Sequence, residues 1–369
     1  TFWNLDLLKE SFLIENINIA SLYGQNSRAR ENTDRLIFKA ANEIGFLKIS
    51  GVQNFNFNII KREILLSIFN LPDKHKKKLY RWYFRNSNKN VYRGWFPLQN
   101  GLPTYKQGID IGPDLVREVV HNPEDPLTEE TPLPQENELP KWRPIAKSYY
   151  LAMENLGLVI MQSIARSLKI NANYFDDYFK NGNSTLRLLH YPVRDENSFG
   201  NNIKNFQVGN GYSLGKPHVD SGLLTILQLD QVAGLQAQLK NGEWHEIVPE
   251  NDTLVMNFGR LLEQWSNNKI RATVHRVIGY GKERFSIPFF FEPSINSCIK
   301  PIKELGDSKS FKPFFYGDWL WEVTTQFIEQ SGIKHLRKKR LDNNWALFES
   351  KIINNNELKI FTVIDFSLG

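Results

Sequence analysis

Two histidines and an aspartate are the residues of this sequence whose types and spacing most clearly predict chemistry. His218 and Asp220 are separated by one residue in the segment Lys-Pro-His-Val-Asp-Ser, and on a strand residues two apart point to one face. His275 lies in a later strand-like segment, Thr-Val-His-Arg-Val. If two such strands meet, two imidazoles and a carboxylate converge, and this set of donors predicts a divalent metal site.

Two histidines and one carboxylate on one face of a metal form the facial triad of non-haem Fe(II) oxygenases, which leaves coordination positions open for substrates. The same donors also suit catalytic zinc, so a zinc hydrolase is an alternative, although the sequence shows no general base placed for it. A non-catalytic binding module is a further alternative. The three donors together favour a catalytic role for His218, Asp220 and His275.

A second pair of residues predicts a site for a small carboxylate. Arg284 and Ser286 are two apart in a strand-like run, so their side chains share a face. A guanidinium offers two parallel N–H donors and a hydroxyl adds a third. The same alternation brings Phe290 and Glu292 to that face, where we expect them to contact a primary substrate. Core packing of Phe290 and a salt bridge of Glu292 at the strand end are the alternatives.

Most of the elements that must position these residues are short strands. Turn residues separate the apolar runs, and Asn241-Gly242 between two of them is a hairpin signal. Strands at this spacing predict a sandwich or barrel. The predicted strands span residues 46–49, 185–191, 223–229, 234–239, 243–248, 253–258, 271–279 and 284–291, with a short one near Ile17.

Helical periodicity flanks this β-rich region on both sides. Before it, helices are expected over 33–44, capped by Asn32 or Thr33, and over 58–69 and 144–168. After it, a helix is expected over 316–329.

Composition excludes several classes of protein. The chain has 369 residues and a formal net charge of only +6. The basic runs 74–78 and 337–340 are predicted to be solvated helix faces. No nucleic-acid partner is therefore expected. No apolar run is long enough to predict a membrane span. The single cysteine, Cys298, excludes a disulfide framework within the chain and favours a reducing, cytoplasmic location. We expect a monomer.

In the order and spacing of its motifs, the sequence resembles the isopenicillin N synthase-like branch of the Fe(II)/2-oxoglutarate-dependent oxygenases. The resemblance covers roughly residues 12 to 325. The segments that carry it are Ala-Ala-Asn-Glu-Ile-Gly-Phe (40–46), Tyr-Arg-Gly-Trp-Phe (92–96), Leu-Arg-Leu-Leu-His-Tyr-Pro (186–192), Pro-His-Val-Asp-Ser-Gly-Leu-Leu-Thr-Ile-Leu (217–227), Gly-Leu-Gln (234–236), Val-Met-Asn-Phe-Gly (255–259), Thr-Val-His-Arg-Val (273–277) and Arg-Phe-Ser-Ile-Pro-Phe-Phe-Phe-Glu-Pro (284–293).

The resemblance implies an α+β fold, mainly β in its core. A double-stranded β-helix, or jelly roll, over residues 184–293 would follow an N-terminal helical and mixed region over 1–183 and precede a C-terminal helical segment and tail over 294–369. It also implies Fe(II) held by the histidine and aspartate donors, and a 2-oxoglutarate carboxylate held by Arg284 and Ser286. Tyr191 and Arg187 match positions in or near the co-substrate pocket. Arg93 matches a position near the pocket mouth and is expected to meet the substrate.

The activity implied is oxidation of a small, acidic or amino-acid-derived metabolite by hydroxylation, desaturation or oxidative cyclisation. Dioxygen and 2-oxoglutarate would be consumed and succinate and CO2 released, with ascorbate as a supporting reductant. The alternative within the branch is an Fe(II) oxidase like isopenicillin N synthase, which does not use 2-oxoglutarate. In that case the Arg-x-Ser pair would bind the carboxylate of the substrate itself.

Overall fold

An eight-stranded sheet and a five-stranded sheet form the centre of the molecule. The computed structural model describes residues 14–55, 59–99, 101–102, 104–199, 206–306, 312–327, 330 and 332–338. In chain order the strands are β1 Asn16–Asn18, β2 Phe46–Ser50, β3 Gly94–Phe96, β4 Gln107–Ile111, β5 Thr185–Tyr191, β6 Gln207–Val208, β7 Gly211–His218, β8 Leu224–Leu229, β9 Leu235–Gln238, β10 Trp244–Glu246, β11 Leu254–Phe258, β12 His275–Gly279, β13 Arg284–Phe291, β14 Cys298–Ile299 and β15 Phe314–Phe315.

The helices flank these sheets on both sides of the β-rich region in sequence, as predicted. They are α1 Arg28–Glu43, α2 Ile59–Leu66, α3 Asp73–Lys76, α4 Trp142–Ser167, α5 Asp176–Phe179, α6 Arg260–Trp265 and α7 Tyr316–Thr324. The helix predicted over 316–329 ends at Thr324, so its predicted C-terminal end was wrong. Residues 328 and 329 and the tail 339–369 lie outside the described residues.

The order of strands is β1-β2-β11-β8-β13-β5-β4-β3 in the larger sheet and β10-β9-β12-β7-β6 in the smaller one. Nearly all of these pairs are antiparallel, β1 with β2 being the parallel exception. The larger sheet includes four strands, β1 to β4, that precede residue 184. The division of the chain at residues 184 and 293 stays a prediction.

Apolar side chains from the two sheets meet in one buried cluster, which confirms the predicted jelly roll. Tyr191 and Leu227 of the larger sheet contribute to this cluster together with Leu214 and Val277 of the smaller one. The opposite face of the larger sheet carries a second apolar cluster, shared with α1 and α4. The period-two alternation of strands in the larger sheet therefore supplies apolar side chains to both clusters.

Strand β13 shows this division residue by residue. Phe289 and Phe291 point outward, where the Phe289 ring meets Tyr150 of α4 edge-on at 4.9 Å between ring centroids. Arg284 and Ser286 point inward and are buried. The face of β13 that was predicted to bind a carboxylate is therefore the inner face of the jelly roll.

Two local predictions differ from the structure. Helix α1 begins at Arg28, because the Ser27 hydroxyl accepts a hydrogen bond from the Arg30 amide and caps it. The predicted caps Asn32 and Thr33 lie inside the helix. Strands β3, β4, β6, β7, β14 and β15 were not predicted, since they are short or interrupted by glycine and polar residues, and the strand predicted over 271–279 begins only at His275.

Candidate metal centre and adjoining pocket

The three predicted metal donors lie together where β7 ends and β12 begins. His218 is the last residue of β7, His275 is the first of β12, and the two are direct cross-strand partners in this antiparallel pair. Asp220 follows β7 in a bend, so the expectation that it shares a strand with His218 was wrong. The ligand atoms of all three nevertheless lie within 4.8 Å of one another.

Backbone carbonyls orient both imidazoles. His218 Nδ1 lies 2.8 Å from the Lys216 carbonyl oxygen, and His275 Nδ1 lies 3.2 Å from the Thr273 carbonyl oxygen. Because a carbonyl only accepts, each Nδ1 carries the proton and each Nε2 presents a lone pair. These Nε2 atoms lie 3.7 Å and 3.6 Å from the same oxygen of Asp220, Oδ1.

The other oxygen of Asp220 is held by two side chains that sequence reasoning did not assign. The Thr225 hydroxyl donates to Oδ2 at 2.6 Å and the Asn257 amide donates to Oδ2 at 2.7 Å. These bonds leave Oδ1 facing the two imidazoles. Thr225 and Asn257 lie in segments 217–227 and 255–259, which carry the family resemblance. Their short polar side chains in otherwise apolar strands were the signal that could have identified them.

The bend that carries Asp220 is fixed by the N-terminus of α6. The amides of Arg260 and Leu261 donate to the carbonyls of Asp220 and Ser221 at 2.8 Å and 3.0 Å. A Cβ atom on Gly259 would lie only 2.2 Å from the Gly222 carbonyl oxygen. Glycine at position 259 therefore permits the close approach of backbone that places Asp220.

The charges of the three donors suit a cation. Burial, with a further contribution from His275, lowers the pKa of His218, so its imidazole is neutral and able to bind a metal. Burial alone would raise the pKa of Asp220, but the two imidazoles and the hydrogen bonds from Thr225 and Asn257 outweigh it and lower that pKa. The site therefore combines the anionic Asp220 with the Nε2 atoms of two imidazoles.

Arg284 lies inside the jelly roll with buried donors that are unused. It is 2 % exposed, and its Nε and Nη1 atoms have no hydrogen-bond partner within the described part of the chain. Its guanidinium carbon lies 5.0 Å from the centre of the Tyr191 ring, which is its cross-strand neighbour on β5. Ser286 is buried on the same face of β13. Unpaired buried donors of this kind indicate space for an anionic group.

The structure places Arg187 in an ion-pair cluster. Its Nε and Nη2 donate to both oxygens of Asp110, the cross-strand partner on β4, and Arg81 binds the same carboxylate. Burial would raise the pKa of Asp110, but these arginines lower it to about 2. The Arg187 guanidinium also lies over the Phe290 ring at 5.2 Å. Arg187 therefore borders the inner face of the jelly roll, and its charge is already paired with that of Asp110.

Arg93 lies in the interior of the protein and not at a surface. It is 1 % exposed, and it donates to the Thr185 hydroxyl and to the backbone and side-chain oxygens of Asn183. Its role toward a substrate stays a prediction.

Glu292 and Phe290 lie beside the metal-binding bend. A Cβ atom on Gly222 would be 3.6 Å from Glu292 Oε1, and Phe290 is the cross-strand partner of Thr225. Glu292 is buried, and its Oε2 makes no hydrogen bond of ordinary geometry among the residues that the structure describes, although the Tyr316 hydroxyl lies near enough to lower the pKa of this carboxyl. Burial raises the pKa of Glu292 to about 8, against the opposing effects of Arg93 and Arg187.

Within the ranges described, no helix combines the length and the apolar character needed to cross a bilayer.

Comparisons with known proteins agree on one family. The model of the 2OG-Fe(II) oxygenase superfamily matches residues 182–293. The chain is 31 % identical over 345 residues to the protein named "Probable iron/ascorbate oxidoreductase" from Dictyostelium discoideum, covering 80 % of this chain and 90 % of that protein. It is 25 % identical over 335 residues to isopenicillin N synthase of Streptomyces jumonjinensis, covering 89 % and 99 % respectively.

Solved structures share the fold. A full-length Neurospora crassa protein, crystallised in complex with alpha-KG and 5-formyluracil, is 25 % identical in sequence and superimposes with a TM-score of 0.68. That match covers 85 % of this chain and 96 % of the other.

Proposed function

The chain belongs to the 2OG-Fe(II) oxygenase superfamily, and on that premise we propose that His218, Asp220 and His275 hold its Fe(II) while Arg284 and Ser286 hold 2-oxoglutarate. The enzyme is a dioxygenase that uses Fe(II), 2-oxoglutarate and O2. When bound, the metal and the co-substrate supply the oxidising chemistry. The protein's own residues orient the reactants and exclude water.

The donor set supports the iron assignment. Two neutral imidazole nitrogens and one carboxylate oxygen are the ligands of the facial triad, and the hydrogen bonds to Asp220 Oδ2 favour binding through Oδ1 alone. Binding through one oxygen leaves more of the metal open to other ligands than binding through two. A zinc hydrolase is less well supported, because such a reaction leaves the buried Arg284 without a role.

The single observation that carries the co-substrate assignment is the unpaired guanidinium of Arg284. An arginine that is 2 % exposed with two unused donors costs stability unless an anion joins it. A carboxylate of 2-oxoglutarate fits this requirement, with Ser286 beside it and the Tyr191 ring packed against the guanidinium.

We propose further that the substrate is a small acidic or amino-acid-derived metabolite. Glu292, with one unpaired oxygen near the metal-binding bend, supplies a partner for an amine or hydroxyl group, and Phe290 supplies an apolar wall. Arg93 and Arg187 lie close enough to Glu292 to oppose the rise in its pKa, and we propose that they also attract a substrate carboxylate. A relative of 25 % identity named proline hydroxylase, from Petromyces alliaceus, supports an amino-acid substrate.

An oxidase that does not use 2-oxoglutarate is the second candidate, because the similarity to isopenicillin N synthase spans 99 % of that protein. In this reaction Arg284 would bind the substrate's own carboxylate. The two candidates differ in one measurable property, which is succinate formation coupled to oxygen uptake.

The test is an assay of the purified chain with Fe(II) and ascorbate against a panel of acidic and amino-acid metabolites. Oxygen uptake and succinate are measured with and without 2-oxoglutarate. We expect substrate-dependent succinate formation, abolished in His218→Ala and strongly reduced in Arg284→Met. Arg143→Met, which changes an exposed arginine of α4, is the matched control and should retain activity. Oxygen uptake without 2-oxoglutarate would favour the oxidase, and full activity of Arg284→Met would contradict the assignment of this residue.

A further inference from the structure

A cavity lies on the outer face of the eight-stranded sheet, between α2 and α4. Its volume is about 40 Å³, it is partly open to solvent, and its polar lining comes from Asn54, Lys61, Arg62, Ser148, Tyr149 and Gln228. Gln228 alternates along β8 with Leu227, which points into the jelly roll. The cavity is therefore separated by the sheet from the inner pocket that contains Arg284.

Three hydrogen-bond donors on residues that line this cavity are buried and unused. They are Nε and Nη2 of Arg62 and the hydroxyl of Tyr149, none of which has a partner among the described residues. Leaving a buried donor unpaired costs about 1–3 kcal/mol, and more for a charged group. A set of three in one cavity therefore indicates a ligand that accepts all of them.

The pair of atoms left unused on Arg62 identifies the class of ligand. Arg166, Arg187 and Arg337 each use the same two atoms, Nε and Nη2, to bind both oxygens of one carboxylate. Nε and Nη2 lie on one edge of the guanidinium, so their N–H groups are parallel and match the spacing of carboxylate oxygens. The same edge of the Arg62 guanidinium is buried, but no carboxylate of the described residues binds it. In this it differs from Arg166, Arg187 and Arg337.

No acidic residue lines the cavity where the structure describes it. Arg62 acts electrostatically on the carboxylate of Asp230, whose oxygens already accept the backbone amides of Val232 and Phe285. Lys61 at the rim adds a second positive charge, and no acidic residue of the described lining compensates for it. The electrostatics of the cavity therefore favour an anion that comes from outside the chain.

We propose that Arg62 and Tyr149 form a second carboxylate-binding site, which takes a small carboxylate such as a dicarboxylate of a few carbons. One carboxylate group accepts the Nε and Nη2 donors of Arg62 and the Tyr149 hydroxyl. Lys61 lies at the rim, where it attracts a second anionic group. The site is separate from the inner pocket and does not depend on the proposed roles of Arg284 and the metal donors.

The experiment is calorimetric titration of succinate into the full chain without 2-oxoglutarate, because 2-oxoglutarate is itself a small dicarboxylate and would compete at the outer site. All proteins compared, including the one that is wild type at position 62, carry Arg284→Met, which removes the unpaired arginine of the inner pocket, so succinate binding reports the outer site. Dimethyl succinate is the uncharged control. We expect one equivalent of succinate to bind, with affinity reduced about tenfold or more in Arg62→Met and less in Tyr149→Phe. Arg143→Met, which changes an exposed arginine of α4, should bind like the wild type.

A second measurement separates binding from folding. Without succinate, Arg62→Met should melt at the wild-type temperature or above, because it removes two buried donors that have no partner among the described residues. With succinate, the wild-type melting temperature should rise while that of Arg62→Met should not. The proposal is overturned if succinate does not bind the wild type at millimolar concentration, if dimethyl succinate binds equally well, or if Arg62→Met binds it unchanged. A melting temperature of Arg62→Met well below that of the wild type without succinate would show that Arg62 is satisfied by water, which also overturns it.

Discussion

The Asn257 amide donates a 2.7 Å hydrogen bond to Oδ2 of Asp220, from a strand that lies next to β8 in the larger sheet. The bond joins residues 37 positions apart and holds the carboxylate so that its other oxygen faces two histidines. Partners that orient a ligand in this way typically change metal affinity by about 10–100-fold when they are removed.

Asn257→Ala should therefore weaken metal binding by about 10-fold or more. With one of its two donors lost, Asp220 can rotate and its Oδ1 is no longer held toward the imidazoles. Anaerobic titration with Fe(II) or Co(II) measures the affinity, and the Co(II) absorption spectrum reports any change in coordination. Asn42→Ala removes another asparagine hydrogen bond, on α1, and should leave both unchanged. Wild-type affinity and spectrum in Asn257→Ala would contradict this role.

The Thr225 hydroxyl provides a second test of the same carboxylate. Thr225→Val keeps the shape of the side chain and removes the donor to Asp220, so metal affinity should fall. Thr225→Ser keeps the donor and should retain most of the affinity. Equal affinities for the two variants, measured by the same titration, would show that the hydroxyl does not position Asp220.

Asp110→Asn should destabilise the fold by about 3–5 kcal/mol, because it leaves the buried cations Arg81 and Arg187 without their shared counter-charge. Urea denaturation monitored by tryptophan fluorescence measures the change in the free energy of unfolding. Glu322→Gln breaks an exposed ion pair with Lys334 and should cost no more than about 1 kcal/mol. Similar losses in the two variants would argue against a special contribution of the buried cluster.

Glu292→Gln should flatten the dependence of stability on pH. In the folded protein the pKa of Glu292 is raised to about 8, which is above its ordinary value of 4.5, so the folded state holds a proton that the unfolded state releases. Its contribution to stability is complete below the ordinary value and is lost as pH rises toward 8, by up to about 1.4 kcal/mol per pH unit. The charged and titratable groups that face it are Arg93, Arg187, Asp110, Tyr92 and Tyr316.

The measurement is the free energy of unfolding of metal-free protein between pH 5 and about pH 8, where this linkage acts. The wild type should lose stability more steeply than Glu292→Gln across this interval. Glu304→Gln, at an exposed position, should follow the wild type. Parallel curves for the wild type and Glu292→Gln would show that Glu292 is ionised in the folded protein throughout.

Gly157→Ala should destabilise the protein although alanine favours helices by about 1 kcal/mol. A Cβ atom at this position of α4 would lie 2.4 Å from the Phe291 ring, which is stacked on Phe179 and cannot move freely. Overpacking of this kind costs about 1–3 kcal/mol. Combining it with Phe291→Leu should recover part of the loss in a double-mutant cycle by urea denaturation. Additive effects in the cycle would contradict the predicted contact.

The sequence alone determined the donor types and the strands that carry most of them. Strand β5 was predicted with its observed bounds, and β8, β11 and β13 to within a residue, because alternation with period two is a local property of the chain. That alternation also assigned Arg284, Ser286 and Phe290 to one face of β13. Helix α1 was predicted by its apolar spacing, although its first residue was not.

Only the tertiary structure decided how these residues interact, because strand register and helix packing bring together groups that are distant in sequence. It paired His218 with His275 across two strands and placed Asp220 in a bend held by α6. It also gave Arg187 an internal partner in Asp110. Hydrogen bonds depend on distances of a few tenths of an ångström, and spacing along the chain does not specify them. For the same reason, the unpaired edge of Arg62 became visible only once α2 and α4 were seen to enclose it.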